Sequence, residues 1–137
     1  MSYEIKDHTA DAKFTATGND IDEAFSEAVN AFSHVVGNEH GGNVRHSTEI
    51  ESESRDTLLF DFLDWLIYLQ DTENVAVARP EEVEIEKNVS GYRLEATVWV
   101  EPLTAGSELQ DIKGPTYSEM SVEYTDEGCR LTAVLDI

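Results

Sequence analysis

The feature that most constrains the fold is a strict alternation of apolar and polar residues over residues 92–101. The apolar positions are Tyr92, Leu94, Ala96, Val98 and Val100, and the residues between them are Arg93, Glu95, Thr97, Trp99 and Glu101. Because successive side chains of a strand point to opposite faces of a sheet, this pattern predicts a strand with one face on a core. Trp99 then either covers a second core layer or lines an exposed contact.

Shorter alternating segments predict further strands at residues 3–5, 12–16, 44–50 and 83–85. Residues 103–115 are rich in glycine and polar residues and are expected to form a loop. Beyond this loop, residues 120–137 predict a hairpin that turns at residues 125–128 and returns to the last residue. Cys129, the single cysteine, alternates with Leu131 and Ala133, which predicts a buried strand thiol and excludes an internal disulfide.

A first helix is predicted over residues 21–36, where apolar residues recur at helical spacing. Asp20 and Glu23 have the spacing of a capping box, in which Glu23 reaches back to the amide of Asp20. Gly37 stands where a helix commonly ends.

A second helix is predicted over residues 55–71, with Ser54 as its cap. Its apolar residues cover more than half of its circumference, which predicts a helix packed on both sides or against a partner. Asp61 and Asp64 are interpreted as its solvated side rather than as a carboxylate pair. Strands and helices together predict a single α+β domain over residues 1–137, with a mainly antiparallel sheet and two helices.

The charge balance is strongly acidic: 29 Asp and Glu residues against nine Lys and Arg residues give a formal net charge of −20. This argues against direct, stable binding to nucleic acid, which requires a basic surface. The acids are spread along the whole chain, as in proteins adapted to high intracellular salt, so a halophilic source is expected. The sequence contains no signal peptide or membrane span, so we expect a cytoplasmic protein.

Two segments contain candidate metal ligands. Asp11 closes the motif Asp7-His8-Thr9-Ala10-Asp11 between two predicted strands, and the last strand ends on Asp136 and the terminal carboxylate of Ile137. Carboxylate oxygens are the ligands that Ca²⁺ and Mg²⁺ prefer. In a chain with 29 acids two carboxylates also approach each other by chance, so this pattern alone does not establish a site. The histidines lack the spacing of a zinc site, and no phosphate-binding glycine loop or nucleophile elbow is present.

Five ordered blocks resemble the archease family over nearly the whole chain. They are DHTAD at residues 7–11, the two helical segments, IKGPTYSEMSV at residues 112–122, and the final LDI. The resemblance implies two strand-helix-strand-strand modules, one inserted in the other. Gly114, Pro115 and Ser118 depart from the family pattern, in which a histidine often stands at the position of Ser118.

The resemblance also implies a function. Archeases are activators of the RtcB-type tRNA-splicing ligase, so this chain is expected to promote ligase guanylylation from GTP, to allow multiple turnover and to broaden nucleotide choice, without being an enzyme. The implied divalent cation, Ca²⁺ with Mg²⁺ or Mn²⁺ as alternatives, is held by Asp11, Asp136 and Ile137. Asp7 and His8 are expected to shape the turn or support the ligands, and Lys113 is a candidate contact with the ligase or a phosphate.

Two other functions remain open at this point. One is a metal-dependent phosphoester hydrolase with His8 as base, and the other is a chaperone-like protein-binding module that uses the wide apolar face of the second helix. The oligomeric state is not determined by the sequence.

Overall fold

The computed structural model describes residues 1–7, 11–38, 42–104, 107 and 109–137, with the backbone alone at residues 6 and 7. The elements in chain order are β1 (Ser2–Asp7), β2 (Asp11–Gly18), α1 (Ile21–Val36), β3 (Val44–Ser52), α2 (Arg55–Glu73), β4 (Val75–Asn88), β5 (Gly91–Pro102), β6 (Gly114–Thr125) and β7 (Gly128–Asp136). They form one sheet of order β1-β2-β7-β6 and a second of order β3-β5-β4. The strand pairs described by the register are all antiparallel, which confirms the predicted α+β class.

The two sheets repeat one arrangement. The segment β3-α2-β4-β5 is inserted between α1 and β6 of a second unit, β2-α1-β6-β7, and in each unit the first strand pairs with the last. Gly91 and Gly128 occupy equivalent positions at the start of the last strand. A Cβ on Gly91 would lie 2.3 Å from the oxygen of Ser52, and one on Gly128 would lie 2.2 Å from the oxygen of Gly18. The expectation of two nested modules is therefore confirmed, and we call them the inserted and the outer module.

Helix α1 begins as the sequence predicts, with one difference in its cap. The Asp20 side chain accepts a hydrogen bond from the Glu23 amide at 2.9 Å. The Glu23 carboxylate reaches one residue further back than expected and accepts from the amide of Asn19, at 2.8 Å, instead of that of Asp20. Gly37 ends the helix in the left-handed region at φ 93, a conformation that costs little only for glycine.

Helix α2 is buried by the chain itself. Leu58, Leu59, Phe62, Leu63 and Leu66 are each 0% exposed. The helix packs against β6 of one sheet and against β3, β4 and β5 of the other. Its wide apolar face is therefore explained by packing on both sides, the first of the two predicted alternatives.

The polar side of α2 was predicted only in part. Asp64 is exposed, as expected. Asp61 is half-buried and accepts a hydrogen bond from Ser52 Oγ at 2.6 Å, so it is less solvated than Asp64. The hydrogen bond joins α2 to the end of β3.

Two strands begin well before their predicted starts. β4 begins at Val75 instead of residue 83. The sequence pattern missed its first half because register shifts between Val77 and Arg79 and between Pro80 and Glu82 break the alternation. β6 begins at Gly114, inside the predicted loop, and its pairing with β7 shifts between Thr116 and Ser121. Irregular pairing of this kind removes the periodic signal on which the prediction relied.

Cys129 lies in β7 of the sheet β1-β2-β7-β6. Cys129 is 2% exposed in β7, which confirms the buried thiol. Burial raises the pKa of the Cys129 thiol; the charge of Arg55 opposes this increase and the charge of Asp20 adds to it.

Trp99 lies half-buried on the face of the sheet β3-β5-β4 that points away from the core. The guanidinium carbons of Arg45 and Arg79 lie 5.4 and 4.8 Å from its ring centre, so Trp99 lines an exposed surface.

Among the residues that the structure describes, no helix is both long enough and apolar enough to cross a membrane.

Candidate functional site

The two acidic side chains predicted as ligands lie directly opposite each other. Asp11 is the first residue of β2, Asp136 is the last residue of β7, and the two are register partners in the antiparallel pair. Partners of this kind project to the same face with Cβ atoms about 5 Å apart. The next pair, Ala12 and Leu135, is buried, so the two aspartates lie on the outer face of the sheet.

The backbone around Asp136 is held on both sides. β2 lies on one side, and on the other the amide of Lys113 donates a hydrogen bond to the Asp136 carbonyl at 2.8 Å. Ile137, which follows, is half-buried and packs against the core. These contacts hold the main chain of Ile137 in place directly after Asp136.

The electrostatics of this pair favour a bound cation. Asp11 is half-buried with its Oδ1 atom shielded from solvent, whereas Asp136 is exposed. Like charges directly opposite each other on a sheet destabilise the folded state. A hard divalent cation would neutralise them and would find the oxygen donors it prefers, so the residues present fit such an ion.

Two carboxylates alone do not complete a coordination sphere. Within the described ranges, no group of three or more His, Cys, Asp or Glu side chains could hold a metal ion. Main-chain oxygens, such as those of Ile137, and water are further donors that such an ion accepts. Metal binding by Asp11, Asp136 and Ile137 stays a prediction.

The other predicted site residues are placed as follows. Asp7 pairs through its backbone with Ala12, the neighbour of Asp11, and its side chain is not described. His8 lies outside the described residues. Lys113 is exposed and adjoins the site through its hydrogen bond to Asp136.

One ion pair beside the site was not predicted. Lys13 Nζ lies 2.7 Å from Glu119 Oε1. The alternation of β2 places Lys13 on the same face as Asp11, and this could have been read from the sequence. No local signal indicates Glu119, because the irregular stretch of β6 brings it there from 106 residues away.

Comparison with known proteins gives a consistent result. The model of the archease protein family matches residues 3–137. Protein archease of Pyrococcus abyssi is 32% identical over 130 residues, which cover 92% of this chain and 91% of that protein. Protein archease of Methanothermobacter thermautotrophicus is 32% identical over 138 residues and 98% of both chains.

Two solved structures are similar to this chain. The solution structure of Methanobacterium thermoautotrophicum protein 1598 matches with a TM-score of 0.84 and 32% identity, and the match covers 98% of both chains. The crystal structure of an archease from Thermotoga maritima, described as a possible chaperone, matches with a TM-score of 0.65 and 21% identity. That match covers 95% of this chain and 93% of the other and supports the fold alone.

Proposed function

This chain belongs to the archease family, and from that premise we propose that it is a non-catalytic activator of the RtcB-type tRNA-splicing ligase. In this role it promotes guanylylation of the ligase from GTP, supports multiple turnover and broadens the choice of nucleotide. It acts in the cytoplasm and binds a divalent cation, with Ca²⁺ favoured over Mg²⁺ and Mn²⁺, through Asp11, Asp136 and Ile137.

The observation that supports the proposal is that Asp11 and Asp136 are register partners at one end of the sheet β1-β2-β7-β6. The sheet fixes the spacing of the two carboxylates, and the buried pair next to them anchors both strands in the core. A site built on paired strands is rigid, which a binding surface for an ion requires. The exposed Asp136 and Lys113 leave this end accessible to a partner protein.

The cation would supply positive charge to the triphosphate or to the ligase surface near it. The chain's own contribution is to hold Asp11 and Asp136 in register, to fix the Ile137 main chain through its packed side chain, and to present the exposed Lys113 beside them. Lys113 is suited to a phosphate or to an acidic residue of the ligase, because its ammonium is a mobile point charge.

The test is guanylylation of the cognate ligase with radiolabelled GTP and this protein at a substoichiometric amount. Wild-type protein should speed labelling, and Asp11→Asn and Asp136→Asn should lose most of that effect while keeping the native melting transition. Asp126→Asn, in the exposed turn between β6 and β7, removes the same charge away from the site and should activate normally. Full activation by both site variants would refute the cation role.

The hydrolase alternative is separated by a different assay. The purified protein, without ligase, is incubated with Mn²⁺ and a phosphomonoester or phosphodiester, and turnover would contradict the non-catalytic role. For the chaperone alternative, the wide apolar face of α2 no longer serves as an argument, because the chain buries that face itself. Rescue of an unrelated aggregating protein in the absence of ligase would favour that alternative.

A further inference from the structure

We propose that the outer edge of β3 binds an extended, basic segment of a partner protein, which adds a strand to the sheet β3-β5-β4 and contacts the neighbouring flank of α2. We call this surface, formed by β3 and by Asp61, Trp65 and Tyr68 of α2, the β3 surface. The inference rests on the proposed function for the identity of the partner, the ligase. It does not involve Asp11 or Asp136.

The backbone of β3 is less protected than that of β4, the strand at the other edge of the same sheet. On β4, the Val77 amide donates to Gln70 Oε1 at 2.9 Å, and the Ile85 amide donates to Asp22 Oδ1 at 3.0 Å. Asn38 Nδ2 donates to the Val77 carbonyl at 3.3 Å.

β3 itself pairs with β5 on one side only. Within the described ranges, no strand pairs with its other side, and no side chain forms a hydrogen bond with its backbone. Alternate amides and carbonyls along its nine residues are therefore accessible to a further strand. Addition of an extended peptide to such an edge is an established mode of protein recognition.

The core-facing side chains of β3 are only partly covered. Val44 is 41% exposed, and Ile50 near the other end of the strand is half-buried. Their register partners on β5, Val100 and Leu94, are both 0% exposed. Apolar side chains of an added strand would lie beside Val44 and Ile50 and remove them from water.

The flank of α2 beside β3 extends this partly apolar surface. Asp61 marks the flank, because it accepts the hydrogen bond from Ser52 at the end of β3. Trp65 lies one turn further along the same flank, and Tyr68 follows three residues later. Trp65 is half-buried and Tyr68 is 63% exposed. Tryptophan and tyrosine are enriched among the residues that contribute most to protein binding.

The charges around the β3 surface select the partner segment. After its first residue, α2 contains five acids and no Lys or Arg: Asp56, Asp61, Asp64, Asp71 and Glu73. β3 contains two acids, Glu49 and Glu51, and one base, Arg45. A segment in which apolar residues alternate with Lys or Arg is complementary to this surface, whereas RNA or a second copy of this acidic chain would be repelled.

Two lysine substitutions in the middle of β3 test the inference. Thr48 is half-buried on the core-facing side, and Ser47 is exposed on the opposite side. A charge that points inward from an edge strand prevents a further strand from pairing with it. In titration calorimetry, Thr48→Lys should weaken binding of the cognate ligase by roughly tenfold or more. Ser47→Lys adds the same charge on the other side and should change the affinity by less than about threefold.

Amide hydrogen exchange of the wild-type protein gives a second measurement that depends on no variant. The amides of β3 should exchange more slowly when the cognate ligase is bound, because a new strand accepts hydrogen bonds from them. The amides of β4, at the opposite edge of the sheet, should change little. Thermal melts of both lysine variants establish that they are folded.

Four outcomes overturn the inference. One is unchanged exchange of the β3 amides at saturating ligase, and another is an equal loss of affinity in the two lysine variants. If an RNA oligonucleotide, or a rise in the concentration of this chain alone, protects β3 to the same extent, the partner is wrongly assigned. If wild-type protein neither binds nor activates the ligase, the proposed function fails as well.

The two proposals can fail separately. If Thr48→Lys binds the ligase as tightly as wild type while Asp136→Asn loses activation of guanylylation, the proposed function stands and the role of the β3 surface falls.

Discussion

The Asp56 carboxylate accepts a hydrogen bond from the backbone amide of Val122 at 2.9 Å, which joins the first turn of α2 to the outer edge of β6. Asp22 in the first turn of α1 has the same relation to Ile85 in β4, at 3.0 Å. β6 and β4 are edge strands of their sheets, so each helix covers an edge that belongs to the other module. Unpaired edges favour aggregation, and these two hydrogen bonds interrupt them while locking the modules together.

Asp56→Ala should destabilise the protein by about 1–3 kcal/mol, because the Val122 amide loses its acceptor in a partly buried position. Asp56→Asn retains an acceptor oxygen and should cost less. Urea unfolding measures both. Asp64→Ala removes an exposed carboxylate from the same helix and serves as control, and an equal loss in the two alanine variants would contradict a role for the hydrogen bond.

Asp22→Asn should increase stability at pH 7 and lose that advantage in acid. Burial raises the pKa of Asp22, the Ile85 hydrogen bond opposes this, and the charges of Asp20 and Glu84 add to the increase. Because the folded pKa lies above 3.8, ionised Asp22 costs stability at pH 7 and the cost disappears once the pH falls below that value. Urea unfolding at pH 7 and at about pH 3 tests this. A stability gain of Asp22→Asn over wild type that is larger in acid would contradict the pKa argument.

Gly128→Ala should cost about 1–3 kcal/mol or prevent folding. The residue has φ 139, and the new Cβ would meet the Gly18 oxygen at 2.2 Å. Gly114→Ala is the matched control, since no atom lies within 4 Å of its Cβ position. Thermal melts compare the two, and similar melting temperatures would show that the β6–β7 hairpin tolerates a side chain at residue 128.

Ca²⁺ should raise the melting temperature of the wild-type protein if the proposed site is correct. Ligand at 100 times its Kd adds about 2.7 kcal/mol to the free energy of unfolding. Asp136→Asn should lose this response, and without cation it should be at least as stable as wild type because a like-charge pair is removed. Thermal melts with CaCl₂ or with chelator measure it. A rise in melting temperature with CaCl₂ in Asp136→Asn as large as in wild type, or no rise in Asp126→Asn, would contradict the assignment of Asp136 as a ligand.

Potassium chloride should stabilise the protein strongly between about 0.1 M and about 2 M. With a formal net charge of −20 the folded chain repels itself, and salt screens this repulsion. Urea or thermal unfolding at the two concentrations tests the expectation of a halophilic source. Equal stability in both would contradict it.

The sequence predicted those features that depend on neighbouring residues. The cap at Asp20, the glycine at residue 37 and the alternation over residues 92–101 are local patterns, and the structure has helices and strands where they indicate. Family membership also follows from the sequence, because it rests on blocks of residues in order. The positions of Asp11 and Asp136 at strand ends were visible in the same way.

What the tertiary structure decided are the relations across long sequence distances. The register that sets Asp11 opposite Asp136, the shift in β6 that brings Glu119 to Lys13, and the early start of β4 depend on pairing with strands remote in the chain. A local pattern fixes which face a side chain occupies, but the register of a pair is set by packing of whole sheets. The sequence by itself therefore determined the elements, the family and the candidate ligands, and only the assembled sheets decided which charges meet.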